Sequence, residues 1–155
     1  MDSITFRRIN FSKDLQCIVS LLIKNLNQNI SEDNFRWKHL ENPFGQSYGQ
    51  IALCNDKIIA VRIFMRWEFA DLNGTIRKGL RPVDSVTDPN YRGKGIFNKL
   101  TNKCLENCLD KDEIIFNTPN NNSLPLNLKL GWRKVSGLNN CRLGIINPLL
   151  KKNKF

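Results

Sequence analysis

Between residues 50 and 87, three runs rich in β-branched and aromatic residues follow one another, separated by two tight-turn dipeptides. This stretch constrains the fold more than any other. Residues 51–54 lead into Asn55-Asp56, residues 58–69 follow, and Asn73-Gly74 opens a third run over residues 75–87. Asn-Gly suits a two-residue hairpin turn because both central positions need positive φ. The segment therefore predicts an antiparallel meander. Pro82 has no amide to give a neighbouring strand, so a bulge or a locally unpaired backbone is expected within the third run.

Helical periodicity brackets the meander. Residues 5–8 read as a first short strand. Leu15, Ile18, Val19, Leu22 and Leu26 then recur at three- and four-residue spacing, an amphipathic helix with Ser12 as its N-cap. Ser31-Glu-Asp caps a shorter helix through Phe35, Trp37 and Leu40 that must end before Pro43. After Tyr91-Arg-Gly-Lys-Gly a helix runs to Leu109. A strand over residues 113–117 comes next, then a shorter helix to Leu130 with Gly131 as terminator. Residues 132–146 read as one or two closing strands. The pattern is α+β: a central, mostly antiparallel sheet flanked by helices, expected as one domain spanning residues 1–155.

The composition narrows the function classes. No stretch approaches the roughly 18 apolar residues of a membrane span, and the opening residues lack the apolar core of a secretory signal, so a cytoplasmic protein away from membranes is expected. The five cysteines are scattered and never form a Cys-x-x-Cys pair, which argues against a disulfide framework and a metal site. Cys104 and Cys108 continue an apolar stripe with Phe97 and Leu100 and read as core. A formal net charge of +10 asks for an anionic partner. The basic residues form no single stripe and no aromatic-basic motif accompanies them, so specific nucleic-acid binding is not expected.

The segment that carries chemistry is the junction where the third strand runs through Arg92-Gly-Lys-Gly-Ile-Phe97 into a helix. Glycines let the backbone turn without a Cβ penalty, and the unpaired amides of a helix's first turn favour an anion. Other phosphate loops fail on spacing. There is no Gly-x-x-x-x-Gly-Lys-Ser/Thr, and Gly93-Lys-Gly95 lacks the third glycine of a dinucleotide fingerprint.

The string Val86-Thr-Asp-Pro-Asn-Tyr-Arg-Gly-Lys-Gly-Ile-Phe97 resembles the acetyl-CoA signature of the GCN5-related N-acetyltransferases (GNAT). Asn120-Asn-Asn-Ser-Leu-Pro-Leu-Asn-Leu-Lys-Leu-Gly-Trp132 is similar to a second motif of that family. The resemblance implies the GNAT fold, a sheet splayed at the acetyl-CoA site. It implies acetyl-CoA as acyl donor, held by Val86, Thr87, Arg92, Gly93, Lys94, Gly95, Ile96, Phe97 and Asn120. Phe97 stands where the family has a small residue, so its side chain must turn into the core.

The implied reaction is direct attack of an amine on the thioester, with a backbone amide near Val86 or Thr87 stabilising the oxyanion. Asp84 on the signature strand is the candidate base, with Glu68 on the neighbouring strand as the other and a surface or salt-bridged carboxylate as the plainer reading of both. Ser123 is a candidate for positioning a water, or a helix-capping serine. Asn127 falls where many relatives have a tyrosine acid. His39 and Trp37 lie where the family shapes its acceptor pocket, and each also reads as a structural residue, Trp37 as core. The stretch around them is similar to acetyltransferases acting on nucleotide-linked amino sugars, which implies a small amine acceptor, and GNAT domains often pair, which implies a homodimer. A non-catalytic acyl-CoA sensor is the alternative, with a basic nucleic-acid-binding module behind it.

Overall fold

The computed structural model describes residues 3–26, 29–108, 114–121 and 123–135. The chain divides into two compact units, Met1–Thr118 and Pro119–Phe155. In the first, β1 (Ile4–Arg8), β2 (Tyr48–Cys54), β3 (Lys57–Ala70), β4 (Ile76–Thr87) and β5 (Ile114–Ile115) form a sheet in sequence order. The first four strands are antiparallel neighbours, and β5 lies parallel to β4. The helices are α1 (Phe11–Leu26), α2 (Glu32–His39) and α3 (Ile96–Cys108), which makes the crossover between the two parallel strands. The second unit contains α4 (Leu124–Lys129).

The meander forms, but Asn73-Gly74 turns within a longer connection, residues 71–75, in which Gly74 and not Asn73 takes positive φ. Asn55 and Asp56 adopt φ of +48° and +62° in the β2–β3 turn, and Gly74 adopts +79° in the β3–β4 turn. Asp71 locks that second turn by accepting from the amides of Asn73 and Thr75, each at 2.9 Å. Nearly continuous burial along β2 and β3 shows that both faces are covered. On one face Ile18 and Leu22 of α1 and Phe35 of α2 pack on Ile51, Val61, Ile63 and Val86. On the other, Ile96 and Leu100 of α3 pack on Ala52 and Ala60, and Cys104 packs with Phe64 and Leu80.

Several local expectations change. The cap of α1 is Asn10 rather than Ser12: its Oδ1 accepts from the amides of Ser12 and Lys13 at 3.1 and 3.2 Å, while Asp14 reaches back to the Asn10 amide at 2.8 Å. Ser31 caps α2 as expected, accepting from Asn34. Pro82 pairs in register with Phe64, and the bulge lies two residues later. Trp37 is 65% exposed and so is not core. The strand expected over residues 113–117 is only Ile114–Ile115, and no strand forms over residues 132–135. The rest of the expected closing strands, with the Cys108 side chain and Cys141, falls outside the described residues. Cys54 and Cys104 are buried thiols and Cys17 is an exposed one; no metal-holding group occurs among the described residues.

Leu22 has no exposed surface in the α1 interface. Leu22→Ala should cost about 2 to 5 kcal/mol, read as a lower urea midpoint at unchanged m-value.

Candidate active site

The turn from β4 into α3 is built on Asp88. Its amide donates to the Ile59 carbonyl at 2.8 Å, anchoring the turn to β3, and its carboxylate accepts from the Asn90 amide at 3.0 Å. Gly93 and Gly95 follow at φ of +76° and +71°, conformations an L side chain rarely adopts. Residues 92–95 are exposed, and a Cβ placed on either glycine would meet nothing within 4 Å. Among the described residues no protein acceptor takes the amides of Gly93, Lys94 or Gly95. They stand at the positive end of the thirteen-residue α3. Arg92 Nε donates to the Thr87 carbonyl at 3.2 Å, and Lys94 Nζ lies 5.0 Å from the Tyr91 ring centroid. The loop is a cradle of unused donors ringed by cations.

The second feature is an open strand edge. β5 pairs with β4 only at Gly79 and Leu80, so among the described residues no strand covers the same edge of β4 from 81 to 87. Val86 and Thr87 sit at its far end, next to the glycine loop.

The third is the bulge. Val61 is opposite Val86 and Ile63 opposite Val83, which leaves Asp84 and Ser85 facing the single residue Arg62. Asp84 adopts φ +43°, uncommon for any residue with a side chain although Asp takes it more readily than most. Its Oδ2 is 2.8 Å from His39 Nε2 and 2.7 Å from Lys38 Nζ, and His39 Nδ1 is 2.9 Å from Ser47 Oγ. His39 has no exposed surface and packs on Phe35, ring centroids 4.4 Å apart. Burial lowers its pKa from the ordinary 6.5 against the opposing pull of Asp84, so the ring is neutral at pH 7. Nε2–H then donates to Asp84, and Nδ1 accepts from the Ser47 hydroxyl. Burial by itself would raise the pKa of Asp84, but the bonds from His39 and Lys38 outweigh it and hold the carboxyl below 3.8.

On the other side of the bulge, Arg62 Nη1 donates to Ser85 Oγ at 3.2 Å. The guanidinium lies 4.5 Å from the Phe97 ring centroid, so the bulky residue of the signature turns inward onto a cation. Glu68 lines a separate cleft of about 220 Å³ with Phe44, Gly45, Arg66, Trp67, Lys78 and Gly79. In the second unit Asn120 Oδ1 accepts from the amide and hydroxyl of Ser123, each at 2.9 Å, at the start of α4. Asn127 is buried with both side-chain amide atoms unpartnered.

No protein-family model matches the chain, and no curated protein matches it. Solved structures do. An acetyltransferase of Trypanosoma brucei is 21% identical over 92% of this chain and 100% of its own, with a TM-score of 0.66. A predicted acetyltransferase of Clostridium acetobutylicum, crystallised with acetyl-CoA, is 21% identical over 92% and 96%, with a TM-score of 0.67. Glucosamine-6-phosphate N-acetyltransferase of Arabidopsis thaliana is 14% identical over 94% and 99%, with a TM-score of 0.66. The fold is that of the GCN5-related N-acetyltransferases.

The glycine loop, the open edge of β4 and Asp84 all stand in the first unit of this GNAT fold, and Asp84 is brought to His39 across 45 residues of sequence. Arg62 is the residue that sequence reasoning missed. An arginine inside an otherwise apolar strand, Ile58 to Met65, was the available signal. His39, expected to line an acceptor pocket, has no surface to offer one. No described helix is long and apolar enough to cross a membrane.

The neutral His39 makes stability pH-dependent. Its folded pKa is depressed, so its contribution is full above the unfolded value near 6.5 and is lost as pH falls toward the folded value. Unfolding free energy should therefore decline below about pH 6.5, and urea titrations of His39→Gln should lack that part of the slope.

Proposed function

We propose that the chain is an N-acetyltransferase that moves an acetyl group from acetyl-CoA to a primary amine by direct attack. The observation that carries this reading is the placement, along one strand, of an open edge, a bulge and a glycine loop with unclaimed amides. The residues present fit acetyl-CoA: Gly93, Lys94 and Gly95 offer donors to a pyrophosphate with no side chain in the way, and Arg92 and Lys94 add positive charge. The edge of β4 through Val86 and Thr87 can pair with the amides of a pantetheine arm, as a further strand would. Ile96 and Phe97 set the first turn of α3 through their packing. In the second unit Asn120 orders the start of α4 through Ser123, and the resemblance makes it a further candidate for holding acetyl-CoA.

Asp84 was the expected base. With its pKa held below the ordinary carboxylate value, it is a poor proton acceptor at neutral pH, and its bonds suit it to fixing the bulge. The amine proton then leaves to water, and β4 amides near Val86 stabilise the oxyanion. For the acceptor we favour a nucleotide-linked amino sugar. The cleft beside β3 and β4 joins the aromatic Phe44 and Trp67 to the cations Arg66 and Lys78, and these suit a base and its phosphates. Trp37, exposed on α2, is a further aromatic candidate for acceptor contact.

Calorimetric titration should show 1:1 binding of acetyl-CoA. Gly93→Val and Gly95→Val should each weaken it about tenfold or more, a loss of ~1.4 kcal/mol. Release of free thiol with nucleotide amino sugars would establish turnover. A folded sample that binds no acetyl-CoA would sink the reading, and binding without turnover on any amine would make the chain an acyl-CoA sensor.

A further inference from the structure

Arg62 is the most anomalous charge in the described part of the molecule. It is 3% exposed, in the middle of β3, and among the described residues its Nε and Nη2 find no acceptor. Among the described residues no carboxylate meets it. The Asp84 carboxylate on the adjoining bulge is engaged by Lys38 and His39 of α2, whereas the Arg62 side chain lies among residues of the α3 face. What holds it is the Ser85 hydroxyl at 3.2 Å and the rings of Phe97 and Phe64, with centroids at 4.5 and 5.4 Å. Burial pulls its pKa down to about 10, which still leaves it charged at neutral pH.

A buried cation with unspent donors is costly unless something anionic arrives, and truncating or pairing it would have been the cheaper solution for a purely structural core. Its position says when an anion arrives. Ser85 belongs to the bulge in the ladder between β3 and β4, and Phe97 lies in the first turn of α3, directly after the glycine loop. The guanidinium thus joins the bulge, through Ser85, to the first turn of α3, through Phe97, the two elements that flank the site proposed for the donor.

We propose that Arg62 is the electrostatic partner of the departing CoA thiolate, an inference that rests on the acetyl-CoA reading above. In the transfer, the amine lone pair forms the N–C bond, the C–S bond breaks with its electron pair going to sulfur, and the amine proton goes to water. Negative charge therefore develops on sulfur, and it must be met by a proton or by a fixed cation. Asp84 is anionic and the neutral His39 has its one N–H committed to Asp84, so neither can supply a proton there. Arg62 supplies a cation that needs no proton transfer and no reorganisation.

The pH dependence of ligand binding tests this. Among the described residues, the titratable or charged groups around Arg62 are few. The Cys104 thiol of α3 lies 3.7 Å from its carbonyl. Across β2, Gln50 binds the Tyr48 phenol at 2.7 Å, and Arg8 lies over the Tyr48 ring. On β4 there is Asp84. Their titration cancels when two ligands that differ only at the thiol are compared. The full chain is titrated calorimetrically with CoA and with desulfo-CoA, which carries hydrogen in place of the thiol, from pH 6 to 9.

A nearby positive charge should place the bound thiol about one to three pH units below the ~8.5 of a free thiol. Preferential binding of the thiolate then makes the CoA advantage climb about tenfold to a thousandfold as pH rises, levelling off above the free-thiol value. Arg62→Met should flatten that climb and Arg62→Lys should keep most of it, with thermal unfolding checking that each variant is folded. In turnover, Arg62→Met should lose on the order of 10² in kcat with acetyl-CoA, and less with thioesters of more acidic thiols. The wild-type comparison stands even if Arg62→Met does not fold. A flat ratio on wild-type protein that binds both ligands overturns the role of Arg62 and leaves the CoA site intact, as does a climb that persists in folded Arg62→Met. Failure of wild type to bind either ligand overturns the acetyl-CoA reading and this inference with it.

Discussion

The bulge at Asp84–Ser85 is the constraint on which the rest of the site depends. Two residues of β4 face one residue of β3, so the ladder breaks and β4 turns. Holding Asp84 at φ +43° costs of order 1 to 3 kcal/mol and persists only where surrounding contacts over-determine it. Those contacts come from both faces of the sheet. On one, Lys38 and the His39–Ser47 pair fix the carboxylate; on the other, Arg62 and Phe97 fix Ser85. The two clamps act on adjacent residues with opposite side-chain directions, so neither could be replaced by the other.

The clamps differ in energetic character. The Asp84 network is satisfied: its ion pair, its neutral imidazole and its buried hydroxyl close a chain of donors and acceptors, with Lys38 partly in solvent to limit the desolvation cost. On the Arg62 side two buried donor atoms have no acceptor among the described residues. A satisfied network fixes geometry, whereas an unsatisfied charge stores a driving force for binding its opposite. One strand position therefore carries a rigid element on one face and a reactive one on the other.

The parts of this arrangement that sequence made legible are those written in local spacing. Asn73-Gly74, the Ser31 cap, the apolar stripe of α1 and the glycines before α3 each act within a few residues, and their structures follow. The bulge lies at Asp84 and not at Pro82 because strand register is decided across the sheet, where Pro82 keeps its place opposite Phe64. The contact between His39 and Asp84 spans 45 residues and leaves no periodic trace. Trp37 reads as core because large aromatics usually are, yet the short α2 buries only one face, and Phe35 and His39 occupy it.

The excess of cations over carboxylates has a structural expression that ties these observations together. Arg8 lies over Tyr48, Lys94 over Tyr91, Lys99 over Phe6 and Arg62 over Phe97. A ring face stabilises a cation by about 0.5 to 1 kcal/mol at exposed sites and, unlike a carboxylate, leaves its charge uncompensated. Three of these four pairs lie on or beside α3 and its preceding loop. Cations held this way are oriented but not neutralised, so a polyanion entering along the open edge of β4 meets positive charge without having to displace an existing ion pair. Ion-paired side chains in the same places would have made the loop more stable and the ligand less welcome.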